Sequence, residues 1–510
     1  MLAAPVCAQE YEPTWESLDT RETPSWYQDA KFGIFIHWGL YSVPAWAPKG
    51  QYAEWYWHSL TAEASTEPER QKATREFHKE VWGDTKYEDF RPMFTASMYD
   101  PEHWAKVFKD SGAKYVVLTS KHHDGYALWP SKEASESFGM AWNSVDSGPK
   151  RDLTKDLTDA VRAEGLKMGL YYSIWDWFNP VWTEKQQLVL QADAGADPDG
   201  VKEGKSEVEF TEEVQEADKA REKFVKEVMR PQLEDLVNNY QPSLLFSDGD
   251  WWMGYEKWES REFLAWLFNN APNKDEVIVN DRWGKVRGKH GDYFTTEYGS
   301  GFDDPNILWE ENRGIGHSFG YNKNETLADY DTREELLYLF VDIVSRGGNF
   351  LLDVGPTADG RIPVIMEQRL AEIGDWMDVN SEAIYGSRRW ERDAQWSEGE
   401  KPTQKRGEYK TGFSVMQLTL EPNEGEAVKE AWFTEKDGAV YALLPQWPLE
   451  DTFKLKDIAG LENVVLLGSD SETTIEKVGD DYVVDLTKAE PTRMKSGAPY
   501  VLKLEGVKLK

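Results

Sequence analysis

Asp248 has the sequence setting of a catalytic carboxylate. The segment before it, Leu244–Ser247, has the apolar character of a short buried strand, and the glycine after it allows a sharp turn. A carboxylate at the C-terminal end of a barrel strand stands where that architecture places its chemistry. Trp251 and Trp252 follow and would suit the wall of a sugar site. Taken alone, the stretch is more often an ordinary strand that ends in an Asp-Gly turn.

The same pattern, an apolar segment that ends in a polar residue, recurs over the first two thirds of the chain. On a parallel barrel the C-terminal ends of the strands converge on one mouth, so we expect these polar side chains to meet. Singly, a histidine is usually a satisfied hydrogen-bond donor and a glutamate usually faces solvent. Their shared position at strand ends predicts a functional site formed by His37, His122, His123, Tyr171, Asp248, Arg282 and Glu297.

Two carboxylates at neighbouring strand ends, Asp248 and Glu297, are typical of glycoside hydrolysis. One would attack the anomeric carbon, and the other would protonate the leaving oxygen and later activate water. His122 and His123 are adjacent, so on an extended segment they would point to opposite sides and could not readily share one ion. We therefore predict no metal, and no cofactor because no nucleotide, flavin or pyridoxal-phosphate motif is present. A metal-dependent barrel hydrolase is an alternative.

The composition limits the partners of the protein. The chain of 510 residues has a formal net charge of −34, which argues against binding to nucleic acid or to an anionic membrane surface. Its 24 tryptophans can fill a core and can also stack on the C–H faces of sugars. The single cysteine, Cys7, leaves no internal disulfide and no cysteine metal cluster. No stretch approaches the length of a transmembrane segment, and the oligomeric state is left open.

The first residues resemble the end of a secretory signal. Val6-Cys7-Ala8 looks like a cleavage site of the A-x-A type before Gln9. We therefore interpret residues 1–8 as a signal-peptide remnant and predict a secreted or periplasmic protein. A lipid anchor on Cys7 is the alternative.

Helix and strand signals alternate along the chain. A helix that Asp100 begins and Gly112 ends is followed by the apolar strand Lys114–Thr119. The strands are continuous apolar runs, as in sheets that are buried on both faces. We predict an α/β fold with a (β/α)8-like TIM barrel; a doubly wound open sheet is the alternative, which no glycine-rich phosphate loop supports. Further predicted helices and strands are Leu153–Glu164, Met168–Ser173, Glu212–Asn239, Glu259–Asn269, Val277–Asn280, Tyr293–Thr296, Arg333–Ser345 and Asn349–Leu352.

Beyond Arg388 the helical periodicity disappears. Short strand candidates separated by turn residues follow, a texture typical of a β-sandwich. We predict a catalytic barrel at residues 9–390 and a C-terminal β-sandwich at residues 391–510, with a surface excursion at Gln186–Val208. The strand candidates are Ala439–Leu444, Val464–Leu467, Tyr482–Asp485 and Tyr500–Lys503.

Several blocks between residues 26 and 385 follow the pattern of one enzyme family. They are Trp26–Gly39, Gly112–Gly125, Gly148–Asp152, Gly169–Ser173 and Asn349–Gly360. Together they are specific, and on them the chain resembles an α-L-fucosidase of glycoside hydrolase family 29. The resemblance covers nearly the whole barrel and implies a retaining mechanism, with a β-sandwich behind the barrel.

The resemblance also implies roles for individual residues. Phe246-Ser-Asp-Gly249 matches the nucleophile block, so Asp248 is the expected nucleophile, and Thr295-Thr-Glu-Tyr298 resembles the block in which Glu297 is the acid/base. Glu54 is the alternative acid. The residues that resemble those holding the sugar hydroxyls are His37, Glu54, Trp55, His122, His123, Tyr171 and Arg282. Those that resemble the pocket for the C5 methyl group are Phe35, Tyr52, Tyr298 and Phe319, although core packing would explain Phe35 and Phe319 equally well.

The expected activity is therefore that of a retaining exo-α-L-fucosidase acting on a fucosylated oligosaccharide or glycan. Fragments of an algal fucan are a candidate substrate because the acidic chain suits a saline setting. A non-catalytic fucose-binding protein on the same barrel is the alternative. Retention requires the carboxyl groups of Asp248 and Glu297 to lie about 5–5.5 Å apart, whereas about 9 Å would indicate inversion. The loops at Pro305–Asn312 and at residues 180–210 are candidates for the leaving-group side.

Overall fold

The computed structural model describes residues 10–61, 68–181, 212–251, 253–302, 304–403, 409–494 and 496–509. Eight parallel strands form one curled sheet, in the order β5-β4-β3-β2-β1-β8-β7-β6. This confirms the predicted (β/α)8-like barrel and excludes the doubly wound alternative. The strands are β1 Phe32–Ile36, β2 Tyr115–Lys121, β3 Lys167–Ser173, β4 Leu244–Asp248, β5 Ile278–Val279, β6 Phe294–Glu297, β7 Trp309–Gly314 and β8 Asn349–Val354.

The two edges of the curled sheet, β5 and β6, are joined through carboxylate side chains. Asp292 donates its backbone N–H to the carbonyl of Val279 at 2.9 Å and accepts the N–H of Val279 on its side chain at 2.8 Å. Asp281 accepts the backbone N–H of Thr295 on its carboxylate at 3.1 Å. These contacts satisfy backbone groups that an open edge would expose, and they bring the end of β5 next to β6.

Helices precede most of the barrel strands and cover the outside of the sheet. They are Trp15–Leu18, Ser25–Ala30, Tyr56–Thr61, Pro68–Val81, Pro101–Asp110, Lys132–Phe138, Leu153–Ala163, Glu212–Phe224, Arg230–Tyr240, Tyr255–Trp258, Ser260–Asn270, Arg333–Ser345 and Val364–Asn380. Short 3-10 helices are Leu40–Ser42, Ala53–Trp55, Tyr87–Met93, Leu327–Asp329, Ser381–Ala383 and Pro491–Arg493. Among the described residues, no helix is long and apolar enough to span a bilayer.

The predicted starts of two helices are confirmed by side-chain caps at Asp100 and Asp152. Asp100 accepts the N–H of His103 at 3.0 Å, with Pro101 as the first helical residue. Asp152 accepts the N–H of Lys155 in the same way, at 2.9 Å. The predicted acidic helix from residue 212 to 239 is also present, with a π-helical turn at Val225–Met229 between its two α-helical parts.

The prediction that Pro305–Asn312 is a loop is wrong in its second half, because Trp309 begins β7. Every residue of this strand is buried, although its sequence is Trp-Glu-Glu-Asn-Arg-Gly. Glu310 accepts hydrogen bonds from the phenols of Tyr27 at 3.0 Å and Tyr115 at 2.5 Å. Such pairing offsets the cost of burying polar groups, so this strand carries no apolar signal in the sequence.

The C-terminal region forms antiparallel sheets, as the predicted β-sandwich required. A five-stranded sheet has the order β14-β17-β11-β10-β9, beside a three-stranded and a two-stranded sheet. The predicted boundary at residue 390 falls inside β9 and stays a prediction, while residues 1–8 and the excursion at 186–208 lie outside the described residues. The strands are β9 Arg388–Trp396, β10 Lys429–Lys436, β11 Ala439–Leu444, β12 Thr452–Leu455, β13 Ile458–Ala459, β14 Asn463–Leu466, β15 Thr474–Val478, β16 Asp481–Asp485, β17 Tyr500–Glu505 and β18 Lys508–Leu509.

A buried charge network joins the barrel to the C-terminal sheet. Asp342, on the helix Arg333–Ser345, contacts the ammonium of Lys429 on β10 and accepts the indole N–H of Trp432 at 2.9 Å. Its other oxygen accepts from Arg346 at 2.9 Å. Burial would raise the pKa of Asp342, but Lys429 and Arg346 outweigh that effect and hold it well below its usual range. The two regions therefore meet through paired charges as well as apolar contacts.

Candidate active site

A cavity of about 400 Å³ opens at the C-terminal ends of the barrel strands. Its floor is made by Phe35, Tyr171 and Phe246, whose rings pack against one another inside the barrel at centroid distances of 5.2 to 5.8 Å. The predicted site residues that line it are Phe35, His37, Tyr52, Glu54, Trp55, His122, His123, Tyr171, Asp248, Arg282, Glu297 and Phe319. The structure thus brings together all of the predicted site residues except Tyr298.

Asp248 ends β4 and is surrounded by hydrogen-bond donors. Arg282 Nη1 lies 3.1 Å from its Oδ1, and the phenol of Tyr171 donates to its Oδ2 at 3.0 Å. His123 Nε2 and Arg287 Nη2 each lie 3.5 Å from the carboxylate. Burial would raise the pKa of Asp248, but Arg282, His123 and Arg287 outweigh it and hold that pKa well below its usual range. The carboxylate is therefore an anion, as a nucleophile must be.

Glu297 ends β6 and shares a cation with Asp248. Its Oε1 accepts the phenol proton of Tyr52 at 2.8 Å, and its Oε2 lies 3.4 Å from Arg282 Nη1. Because this one nitrogen is 3.1 Å from Asp248 Oδ1 and 3.4 Å from Glu297 Oε2, those oxygens are separated by at most the sum, 6.5 Å. The two acids therefore face one space, and a separation near 9 Å is excluded for this pair of oxygens.

Arg282 is held rigidly by the seam between β5 and β6. Its Nε donates to the hydroxyl of Thr295 at 2.8 Å, and its guanidinium carbon lies 5.2 Å from the ring centroid of Phe246. Asp281, the residue before it, accepts from the same hydroxyl at 2.8 Å. With the hydroxyl fixed on one side and the ring on the other, the guanidinium can direct its remaining N–H groups at both carboxylates.

Two histidines of the site are neutral. Burial is the main reason that the pKa of His37 is lowered to about 3 and that the pKa of His122 lies well below its usual range. His37 Nδ1 lies 2.6 Å from Asp353 Oδ1, which leaves Nε2 for a ligand. His122 Nδ1 has no hydrogen-bond partner within the described chain. Neutral imidazoles suit the recognition of sugar hydroxyls, which both donate and accept.

The expectation that His122 and His123 point to opposite sides is wrong. Both side chains line the same cavity, with ring centroids 4.2 Å apart, because the extended strand β2 ends at Lys121 and a turn follows. His123 Nδ1 is 2.6 Å from the hydroxyl of Ser173. In the described part of the chain, no group of three or more His, Cys, Asp or Glu side chains is arranged to hold a metal ion.

Glu54, the alternative acid, lies on the 3-10 helix Ala53–Trp55. Burial raises its pKa to about 7, although its Oε2 accepts the N–H of Gly320 at 2.9 Å and the hydroxyl of Ser318 at 3.2 Å. A carboxyl group that titrates near neutrality could act as an acid. Among the described residues, Glu54 shares no cation with Asp248, whereas Glu297 shares Arg282 with it, so the geometry favours Glu297.

The predicted methyl pocket is formed only in part. Phe319 lines the cavity, with its ring centroid 5.4 Å from that of Tyr52 and 6.4 Å from that of Phe35. Tyr298 lies behind Phe319, at 5.4 Å, and is not part of the cavity wall. Its phenol is committed to the backbone, donating to the carbonyl of Gly316 at 2.9 Å. Tyr298 therefore supports the aromatic wall from outside.

Two tryptophans, Trp55 and Trp251, line the cavity, and the role of Trp251 in a sugar wall stays a prediction. The ring of Trp55 lies 5.4 Å from that of Trp251 and 4.9 Å from that of Trp177. The guanidinium of Arg70 covers Trp55 at 5.2 Å from its centroid. Trp252 lies outside the described residues.

Sequence reasoning missed several residues of the cavity. Arg287 pairs with Asp250 through Nε at 2.8 Å and Nη2 at 2.5 Å, and so places a second cation beside Asp248. The basic run from residue 285 to 290, which follows Arg282, and the Asp-Gly-Asp spacing were signals that could have indicated this pair. The missed cavity residues are Phe246, Asp250, Lys285, Arg287, Asn312 and Tyr409. Tyr409 lies beyond the barrel in sequence, where no local pattern marks it.

Comparisons with known proteins agree over the whole chain. A family model described as α-L-fucosidase matches residues 2–382, and one described as α-L-fucosidase C-terminal domain matches residues 424–505. An α-L-fucosidase of Dictyostelium discoideum is 43% identical over 386 residues, which are 75% of this chain and 76% of that protein. The tissue α-L-fucosidase of Homo sapiens is 35% identical over 508 residues, 98% of this chain and 93% of that one. The crystal structure of the α-fucosidase of Thermotoga maritima in complex with fucose has a TM-score of 0.70 and 33% identity, and the match covers 97% of this chain and 100% of that one.

Proposed function

The chain belongs to the α-L-fucosidase family of glycoside hydrolases, and from this premise we propose that it releases terminal α-L-fucose from glycans by retaining double displacement. In the first step, Asp248 attacks the anomeric carbon while the bond to the leaving oxygen breaks and Glu297 gives that oxygen its proton. The product is a covalent fucosyl ester of Asp248. Tyr171, His123 and Arg282 orient the attacking carboxylate.

In the second step, water replaces the departed sugar. Glu297, now an anion, removes a proton from that water, and the resulting oxygen attacks the anomeric carbon and breaks its bond to Asp248. Free fucose leaves with its original configuration, and both acids return to their starting protonation states. Neutral His37 and His122 then contact ring hydroxyls without adding charge to the site.

The shared cation carries this proposal. Retaining enzymes place their carboxyl groups about 5–5.5 Å apart, and inverting enzymes need about 6.5–9.5 Å to admit a water. The upper limit of 6.5 Å between Asp248 Oδ1 and Glu297 Oε2 supports the retaining arrangement. The closed aromatic floor under these acids supports exo action, because it admits one terminal sugar and stops a chain from passing through.

Azide tests the two roles separately. In Asp248→Gly, we expect turnover of an aryl fucoside to be nearly abolished and then partly restored by azide, with β-fucosyl azide as product because azide enters from the face of the lost carboxylate. In Glu297→Ala, we expect a loss of about 10²–10⁴-fold on a poor leaving group. Azide should then yield α-fucosyl azide, since it intercepts the ester of Asp248.

The matched variant Glu54→Ala tests the alternative acid. If α-fucosyl azide forms in Glu54→Ala and not in Glu297→Ala, the acid/base is Glu54. Fucose binding by calorimetry with no turnover of any α-1,2, α-1,3, α-1,4 or α-1,6 fucoside would contradict the enzymatic proposal and support a sugar-binding protein.

We further propose that the protein acts after export, in the periplasm or outside the cell, and that fragments of an algal fucan are among its substrates. The residues 1–9 and the net charge of −34 support this setting. Mass spectrometry of the protein from fractionated native cells should find an N-terminus at Gln9 in the exported fraction. An intact Met1 in the cytosolic fraction would contradict it.

A further inference from the structure

Residues 409–411, here called the 409–411 segment, reach the cavity mouth from beyond the barrel in sequence. They lie between β9 and β10, yet they pair with the end of barrel strand β6. Lys410 donates its N–H to the carbonyl of Glu297 at 3.0 Å, and Thr411 donates to the carbonyl of Tyr298 at 3.2 Å. The segment therefore covers the edge of the strand that carries the proposed acid/base.

The side chain of Tyr409 lies at the rim of the cavity. It is one of the residues that line the cavity, and 56% of the residue remains accessible to solvent. It also lies near Tyr52, whose phenol donates to Glu297 Oε1 at 2.8 Å. A half-exposed aromatic ring at the mouth of a sugar site is a surface on which a second sugar can stack.

The ammonium of Lys410 lies close to both tyrosines and is 5.5 Å from the ring centroid of Tyr409. The same nitrogen lies 4.0 Å from the ring centroid of Tyr52, within the range of a cation–π contact. The backbone of Lys410 has a φ of 39°, in the left-handed region, which is uncommon for a residue with a side chain. Lys410 thus adopts an unfavourable backbone conformation at the position where its N–H bonds Glu297 and its ammonium contacts Tyr52.

The reaction determines which part of the substrate lies next to Tyr409. The acid protonates the oxygen between fucose and the leaving sugar, so the leaving sugar lies on the far side of Glu297 from the aromatic floor. We infer that the 409–411 segment forms the leaving-group side of the site, and that Tyr409 stacks on the apolar face of the pyranose attached to fucose. This inference rests on the proposed function, and it assigns a specificity-determining residue to that site.

Two substrates separate this role from a general one. A fucosyl disaccharide presents a leaving pyranose to Tyr409, whereas α-fucosyl fluoride has no ring in its leaving group. In Tyr409→Ala, we expect the ratio of kcat/KM for the disaccharide to kcat/KM for the fluoride to fall about tenfold, the scale of one lost aromatic contact. Tyr409→Phe, which keeps the ring, should retain most of the wild-type ratio.

Several outcomes would overturn the inference. They are an unchanged ratio in Tyr409→Ala, and a ratio in Tyr409→Phe that falls as far as in Tyr409→Ala. If the alanine variant unfolds, Tyr409→Leu replaces it: this variant keeps apolar bulk but removes the aromatic ring, so the same fall in the kcat/KM ratio is expected. If the wild-type protein turns over neither substrate, the proposed function fails; if it turns over both with the ratio unchanged in the variants, only the role of Tyr409 fails.

Discussion

Two guanidinium groups determine the electrostatics of Asp248. Arg282 is 3.1 Å and Arg287 is 3.5 Å from the same oxygen, and both are themselves buried or nearly so. In a medium of low dielectric constant, such charges act strongly on a carboxylate. They hold the pKa of Asp248 well below its usual range, so these neighbours set the lower pH limit of activity.

Arg287→Met should move that limit. Removing one cation takes away part of what lowers the pKa of Asp248, so that pKa rises toward its ordinary value. Because the reaction needs the anion, we expect the acidic limb of the pH profile of kcat/KM to shift to higher pH. Arg361→Met, which removes an exposed arginine paired with Asp359, should leave the limb in place. Equal profiles for both variants would contradict the assignment.

At the scale of single residues, the sequence predicted most of the site because strand ends are easy to recognise. Asp248 and Glu297 follow short strands, and the barrel geometry then dictates that they meet. Tyr298 is not part of the cavity wall because its phenol bonds the backbone of Gly316, a contact that residue type does not indicate. Arg287 was missed because its role depends on a salt bridge with Asp250, which lies 37 residues earlier in the chain.

Among the elements, β7 shows where periodicity fails as a guide. Apolar runs predicted β2 to β4 well, since strands buried on both faces exclude water from both sides. In β7, Glu310 and Glu311 are buried too, with phenols, a hydroxyl and Arg313 as partners. Partners distant in sequence determine whether such residues can be buried, so a local pattern contains no sign of this strand.

Glu310→Gln tests how β7 tolerates its acid. Burial raises the pKa of Glu310 to about 8, above the value of about 4.3 expected in the unfolded chain. A raised carboxyl pKa stabilises the folded state fully below the unfolded value, and this stability is lost as pH rises toward 8. We expect the variant to gain stability relative to wild type between pH 5 and pH 8, by up to about 1.4 kcal/mol per pH unit.

Chemical denaturation at several pH values measures this gain. Tyr115→Phe, which removes one phenol donor from Glu310, should raise the pKa of Glu310 further and so extend the pH-dependent loss of stability to higher pH. A stability difference between Glu310→Gln and wild type that does not vary with pH would contradict the neutral state of Glu310.

On the scale of the whole molecule, the barrel and the C-terminal sheets form a joined structure. Asp342 lies at the junction and is fully buried, with Lys429, Trp432 and Arg346 as partners. The sequence predicted both regions from their contrasting textures, but not this junction. Asp342 interrupts the apolar second half of its helix, and two of its partners, Lys429 and Trp432, lie in another region of the chain.

Asp342→Ala should weaken that junction. It would leave the charges of Lys429 and Arg346 buried without their anion, which typically costs about 3–5 kcal/mol. We expect a lower midpoint of urea unfolding, whereas Asp375→Ala, at an exposed position, should change stability by less than about 0.5 kcal/mol. Similar midpoints for the two variants would contradict the role of Asp342.

The strand pairing of residues 409–411 with β6 has a consequence for how specificity can evolve. The segments that bind the deoxy sugar and the segment proposed to contact its neighbouring sugar are encoded in separate parts of the gene. A recombination event that exchanges only the downstream part would change which leaving glycan is preferred, and the residues that bind fucose would stay the same. Enzymes that share a preference for one monosaccharide but differ in linkage specificity could arise by that route, with no change among the catalytic residues.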